Sequence, residues 1–207
     1  MRKTLIVGTL LFSGIAFLGS CSNNEDSTQA VEETAVAEVV EPQPEVNYLE
    51  TGKGFAMQTK ASLGKNLALA INERGSDGAV EFCNIEAIPI TDSMSVVLGA
   101  KIKRVSDKPR NANNQANEAE LAYINSWNAA KDKGEEHPPL LTELDGKMVG
   151  YYPIVTNQMC LQCHGTPEKQ INTKTLSKIK KLYPADKATG YAEGEIRGIF
   201  VVEMNKN

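Results

Sequence analysis

The chain of 207 residues carries 22 Lys and Arg against 26 Asp and Glu, a formal charge of −4, and it holds four cysteines and two histidines. That length suits one domain with a proper core plus a leader, and is short for two domains. Eight of the acids fall in residues 21–50, so residues 51–207 carry a formal charge of +2; this is not the basic footprint of a nucleic-acid binder, and that partner class is excluded.

Arg2 and Lys3 precede an apolar stretch from Leu5 to Leu18, and the small residues Gly19 and Ser20 precede Cys21. This is the layout of a secretory signal, and it falls short of the roughly 20 apolar residues of a bilayer span. Leu18-Gly19-Ser20-Cys21 resembles the lipobox of bacterial lipoproteins, in which the cysteine is acylated. The bland alternative is an ordinary cleaved signal with Cys21 near the cut by chance. The expectation is a lipoprotein signal peptide over 1–20 and lipid on Cys21, with several acyl chains giving firm membrane anchoring. The domain would then sit in the periplasm or outside the cell of a bacterium. Residues 21–50 contain no Lys or Arg and two prolines, which predicts an extended, disordered acidic tether.

From Phe55 to Ile71 the apolar residues Phe55, Leu63, Leu67, Ala70 and Ile71 recur at helical spacing, and Gly75 offers a stop. After the turn-like Gly75-Ser76-Asp77-Gly78, a second short helix places Ala79, Val80, Cys83 and Ala87 on one stripe before Pro89 ends it, so Cys83 is expected to face inward. Ser95 to Val105 reads as a strand, and Ser106 to Asn117 as a polar loop. A helix follows over Glu118 to Lys131, a strand over Met148 to Thr156, a Lys-rich helix over Asn172 to Leu182 and a last strand over Ile196 to Met204. Helices at the front and strands interleaved with short helices predict an α/β domain over 51–207 with an antiparallel sheet.

The run Cys160-Leu161-Gln162-Cys163-His164 carries the chemistry. Covalent attachment of a haem needs two thiols spaced to meet its two vinyl groups and a neighbouring imidazole to bind iron, and Cys-x-x-Cys-His supplies all three. One haem c is therefore expected, with Cys160 and Cys163 as thioethers and His164 as an axial ligand. A disulfide, a redox dithiol or a zinc site are the competing uses of Cys-x-x-Cys. For the opposite axial position the candidates are Cys83, His137 and the methionines Met57, Met94, Met148, Met159 and Met204. Cys83 could equally be a small buried hydrophobe. Arg104, Arg110, Arg197 and Lys101 are candidate partners for haem propionates, because a guanidinium matches a carboxylate with two hydrogen bonds; the alternative is a solvated surface.

Arg104 to Glu120 with Arg110-Asn111 and Glu118, then Tyr152-Pro153-Ile154, Cys160 to Gly165, and Gly194-Glu195-Ile196-Arg197-Gly198 together resemble a bacterial haem c family with a PAS-like fold. Its members occur alone or as the extracytoplasmic sensor part of signalling proteins. The resemblance covers about residues 55–204 and implies a PAS-like antiparallel sheet with N-terminal helices and helices packed on it. It also implies that His164 and Cys83, in Glu81-Phe82-Cys83, ligate the iron. Ala112 departs from the proline that usually follows Arg-Asn in that family.

A haem held by an imidazole and a thiolate has both axial positions filled and favours ferric iron. The expected role is electron transfer with a redox partner and no enzymatic turnover. Redox or diatomic-gas sensing through a signalling partner is the alternative, and a peroxidase-like enzyme using His137 is a third.

Overall fold

The computed structural model describes residues 45–206. The signal, Cys21 and the tether up to residue 44 lie outside the described residues. The first element, α1 (Tyr48–Leu98), starts three residues inside the stretch read as tether, because Asn47 caps it by accepting from the Glu50 amide. It is broken once, at Gly75, whose φ of 72° and ψ of 178° belong to a region open essentially to glycine alone. The expected stop at Gly75 is real, and it divides α1 into two arms.

Pro89 does not end the second arm; the helix runs through it to Leu98. A proline there removes the amide donor to the carbonyl four residues back, on Ile85, which is 61% exposed and open to water. The strand expected over Ser95–Val105 is shortened to β1 (Lys101–Val105). Val96 and Val97 stay helical and exposed, and Gly99, at φ 62°, closes the helix by donating to Ser95 and Val96 carbonyls.

After a 3₁₀ turn at Ala112–Asn114 come α2 (Glu118–Asp132), β2 (Leu140–Leu144), β3 (Lys147–Val155), α3 (Gln158–His164), α4 (Thr173–Leu182) and β4 (Ile196–Asn205). The strands form a four-stranded antiparallel sheet in the order β1-β4-β3-β2. β4 is central, so β1 joins the sheet only through it.

The strands alternate between two buried faces. Val149, Tyr151, Ile199 and Val201 pack against Tyr123 and Ile124 of α2, while Tyr152, Phe200, Val202 and Met204 pack against Ala56 and Phe55 of α1. Ile199 and Val202 are fully buried, and each such side chain stabilises the sheet by roughly 1.5–3 kcal/mol. A third cluster, Val80 with Ile171, Leu176, Ile179 and Tyr183, docks the second arm of α1 on α4 and touches Cys163. Among the described residues no helix is long and apolar enough to cross a membrane.

Candidate functional site

A cavity of about 310 Å³ lies where the two arms of α1, the end of β1, α3 and the start of β4 meet, a size in the range of small-molecule and cofactor pockets. Leu63, Leu67 and Ile71 wall it from the first arm, and Cys83 reaches it from the second. Cys160, Cys163 and His164 reach it from α3, and Arg104, Arg110 and Arg197 border it. Sequence positions spread from 63 to 197 thus converge on one space.

The short helix α3 puts Cys160, Cys163 and His164 at positions i, i+3 and i+4, on one face. Asn157 caps it, its Oδ1 accepting from the Cys160 amide at 3.2 Å and from the Cys160 thiol at 3.1 Å. The far end is fixed by the amide of Tyr191, which donates to the His164 carbonyl at 2.9 Å.

His164 Nδ1 lies 2.7 Å from the Ala188 carbonyl and 3.2 Å from Arg197 Nε. It cannot serve both, since a carbonyl only accepts and a guanidinium only donates. The shorter contact decides the tautomer. Nδ1–H donates to Ala188, and the lone pair stays on Nε2 for a metal. Burial, helped by the charges of Arg197 and Arg110, holds the ring well below the usual imidazolium range, so it is neutral and fit to ligate.

Burial pushes the Cys163 thiol up to about 11. The Cys83 thiol is also pushed up by burial, against the pull of Arg104 and Arg110. Both hold their protons at neutral pH unless a metal or electrophile takes the sulfur.

The three arginines differ. Arg110 is a clamp: Nε and Nη2 bond Asp186 at 3.1 and 3.3 Å, and Nη2 also donates to the carbonyls of Cys163 at 2.6 Å and Ala188 at 3.1 Å. Arg197 donates from Nη1 to Ser106 Oγ at 2.9 Å and lies over the Tyr191 ring at 5.6 Å. Arg104 donates from Nη2 to the Ala87 carbonyl at 3.1 Å, and its Nε is buried without a hydrogen-bond partner.

The profile of the Tll0287-like family matches residues 22–205. The chain belongs to the Tll0287-like family. Among solved structures it is similar to the crystal structure of the cyanobacterial heme-protein Tll0287, at a TM-score of 0.56 and 18% identity, over 78% of this chain and 98% of that one. No curated protein matches. The fold is the PAS-like α/β arrangement expected from the sequence, a four-stranded antiparallel sheet with packed helices.

The similar structure is that of a heme-protein, and the residues of this cavity fit such a group. A haem calls for apolar walls for its macrocycle, donors for its carboxylates and axial ligands, with two thiols where it is held covalently, and a buried Arg104 Nε without a partner is the kind of donor a carboxylate would satisfy. Of the other axial candidates only Met159 borders the cavity, and it sits beside Cys160. His137 lies elsewhere, bonded to Ser126 Oγ at 2.9 Å and edge-on to Tyr123. Met204 and Met148 belong to the α1 face of the sheet, and Met57 is 55% exposed. Lys101 pairs with Glu203 on the sheet and does not border the cavity. Among the described residues no group of three or more His, Cys, Asp or Glu forms a site for a bare metal ion, which leaves the zinc use of Cys-x-x-Cys without partners.

Sequence reasoning missed Asp186, Ala188, Tyr191 and Ser106. Ala188 acts through its carbonyl, which no side chain advertises, and Asp186 finds Arg110 across 76 positions of chain. A lone Asp in a polar loop carries no local sign of that pairing.

Proposed function

We propose that this protein is an exported, lipid-anchored c-type cytochrome that holds one covalent haem and passes electrons. The observation that carries the reading is the convergence of Cys83, Cys160, Cys163 and His164 on one apolar cavity bordered by three arginines. Cys160 and Cys163 form the thioethers, His164 supplies Nε2, and Cys83 supplies the second axial ligand from α1. Arg104, through its unpartnered Nε, and Arg110 would meet the propionates. When bound, haem supplies a one-electron ferric/ferrous couple.

The chain's own residues decide what that couple can do. Cys83 and His164 would be the two protein groups that hold the iron, and with both engaged a substrate would find no open place to bind, so turnover is not expected. A thiolate is anionic and favours ferric iron, which makes the potential low. His137, tied to Ser126 away from the cavity, is badly placed as a distal acid–base group for peroxidase chemistry. Lipid on Cys21 and the acidic stretch of residues 21–50 would hold the domain near a bacterial membrane while it meets its redox partner.

Sensing has one observation in its favour: the break at Gly75 lies eight residues before Cys83, so a ligand leaving the iron could be read as movement of one arm of α1. Spectroscopy tests the main reading. The full chain is expressed in a host that matures cytochromes c, and ferric and ferrous optical and EPR spectra are recorded for the wild type, Cys83→Ala and Cys160→Ala/Cys163→Ala. Expected are a low-spin thiolate signature lost in Cys83→Ala and no attached haem in the double variant. A wild type that carries no haem overturns the proposal.

A further inference from the structure

Arg197 borders the cavity from β4, and two of its guanidinium nitrogens are engaged by the protein itself. Nε sits 3.2 Å from His164 Nδ1. Nη1 is held by Ser106 Oγ at 2.9 Å, and Ser106 Oγ in turn donates to the Arg197 carbonyl at 2.8 Å. Tyr191 completes the seat: the Arg197 guanidinium lies 5.6 Å over its ring, and the same ring stands edge-on to His164 at 6.3 Å. The guanidinium is thus fixed on three sides beside the imidazole.

We infer that Arg197 is a positioning residue for His164, a fixed cation seated against the imidazole that shifts the haem iron toward the ferrous state. This rests on the proposed ligation by His164. Two physical effects carry it. A positive charge close to the iron favours the form with less positive charge, and a buried site screens that attraction poorly. In addition, Arg197 Nε lies 3.2 Å from Nδ1, on the edge of the ring whose proton the Ala188 carbonyl accepts, so the cation draws electron density from the imidazole and weakens the support the ring gives ferric iron. The Ala188 carbonyl is shared with Arg110 Nη2, which limits the imidazolate character that a stronger acceptor would induce. Arg197 therefore offsets part of the ferric preference contributed by Cys83. Ser106 is the residue that keeps the cation in place.

The test uses the haem-loaded full chain. Reduction potentials are measured for the wild type, Arg197→Gln, Arg197→Lys and Ser106→Ala, and the His164 Nδ1–H resonance is followed by NMR in the ferrous, diamagnetic form labelled with ¹⁵N-histidine. Arg197→Gln is expected to raise the ferric preference roughly tenfold, a fall of about 59 mV for one electron, and to move the Nδ1–H resonance. Arg197→Lys restores most of the potential, and Ser106→Ala gives an intermediate shift. A potential that falls while the Nδ1–H resonance stays put would mean that Arg197 acts on a haem carboxylate and overturns the inference, as would no change in either. A wild type with haem but no histidine resonance of a ligated ring overturns the ligation by His164 instead, and the inference with it. If Arg197→Gln fails to load haem, Ser106→Ala and Arg197→Lys decide alone: unchanged potentials in both overturn the inference.

Discussion

Arg110 Nη2 and the carbonyl of Cys163 lie 2.6 Å apart, so the end of the motif helix is tied to a guanidinium from the loop after β1. The same guanidinium is paired with Asp186, and both side chains are about nine-tenths buried. Removing one partner of such a pair strands the other charge, a loss of roughly 3–5 kcal/mol. Arg110→Met should therefore lose about that much stability, and so should Asp186→Asn, which keeps one acceptor oxygen for the Ala188 amide but leaves the buried Arg110 charge without its counterion. Urea unfolding of the haem-loaded proteins gives both numbers; equal and small losses would show that the clamp contributes little.

The break in α1 depends on a backbone that only glycine takes easily. Gly75→Ala should lower stability by about 1–3 kcal/mol, since its φ is 72° with ψ at 178°, and the added Cβ would meet Asp77 Oδ1 at 3.2 Å. The second arm carries Cys83, so the variant should also weaken the thiolate signature in the ferric spectrum. An unaltered spectrum with lowered stability would separate the hinge from the ligand.

Much of this was legible in the sequence where the signal is local. Cys160, Cys163 and His164 are three positions within one turn and a half, and their chemistry needs no distant partner to be read. The strands over Lys147–Val155 and Ile196–Asn205 were found because both faces are buried and their apolar runs are long. β2 was missed because it is an exposed edge strand whose three leucines do not alternate with polar residues; the signal present was Asp145-Gly146, with φ of 51° and 73°, a two-residue hairpin turn. The run through Pro89 to Leu98 went unseen because propensity argued against it and tertiary packing overrode propensity. Thr91 is buried, and Ser95 Oγ accepts from the Ile102 amide at 3.0 Å, tying this last stretch of helix to β1. If so, Pro89→Ala should raise stability by about 1–3 kcal/mol, as the Ile85 carbonyl regains its donor. A loss on calorimetry would mean that the proline's restriction of the unfolded chain outweighs the missing bond.

Acid sensitivity should come in part from the sheet. Glu203 is held below the usual carboxylate range, first by its hydrogen bond from Lys147 and further by Lys101. A carboxylate whose folded value is depressed stabilises the fold above its unfolded pKa, and that contribution fades as pH falls through the folded value. Its side chain is 25% exposed, so solvent screening keeps the effect under about 1 kcal/mol. Glu203→Gln should lower stability by up to about 1 kcal/mol at neutral pH and by progressively less below pH ~4.5, which flattens the acid limb of a stability–pH curve. A loss of the same size at pH 7 as at pH 3 would assign Glu203 a packing role instead.

The arm that carries Cys83 is pinned to α4 by hydroxyls. Ser76 Oγ and Thr175 Oγ1 are 2.6 Å apart and both residues are buried, and Asn172 Nδ2 donates to Ser76 Oγ at 3.0 Å. Deleting one member leaves its partner desolvated and unsatisfied, whereas deleting both removes the demand along with the supply. Thr175→Val and Ser76→Ala should each cost on the order of 1–3 kcal/mol, and the double variant distinctly less than their sum. Because the pair lies directly after Gly75 and seven residues before Cys83, the single variants should also broaden the ferric EPR signal as the arm loses its fixed seat. Strict additivity with unchanged line widths would reduce the hydroxyl pair to independent packing and leave the position of Cys83 to the apolar contacts of Val80 with Ile179 and Tyr183.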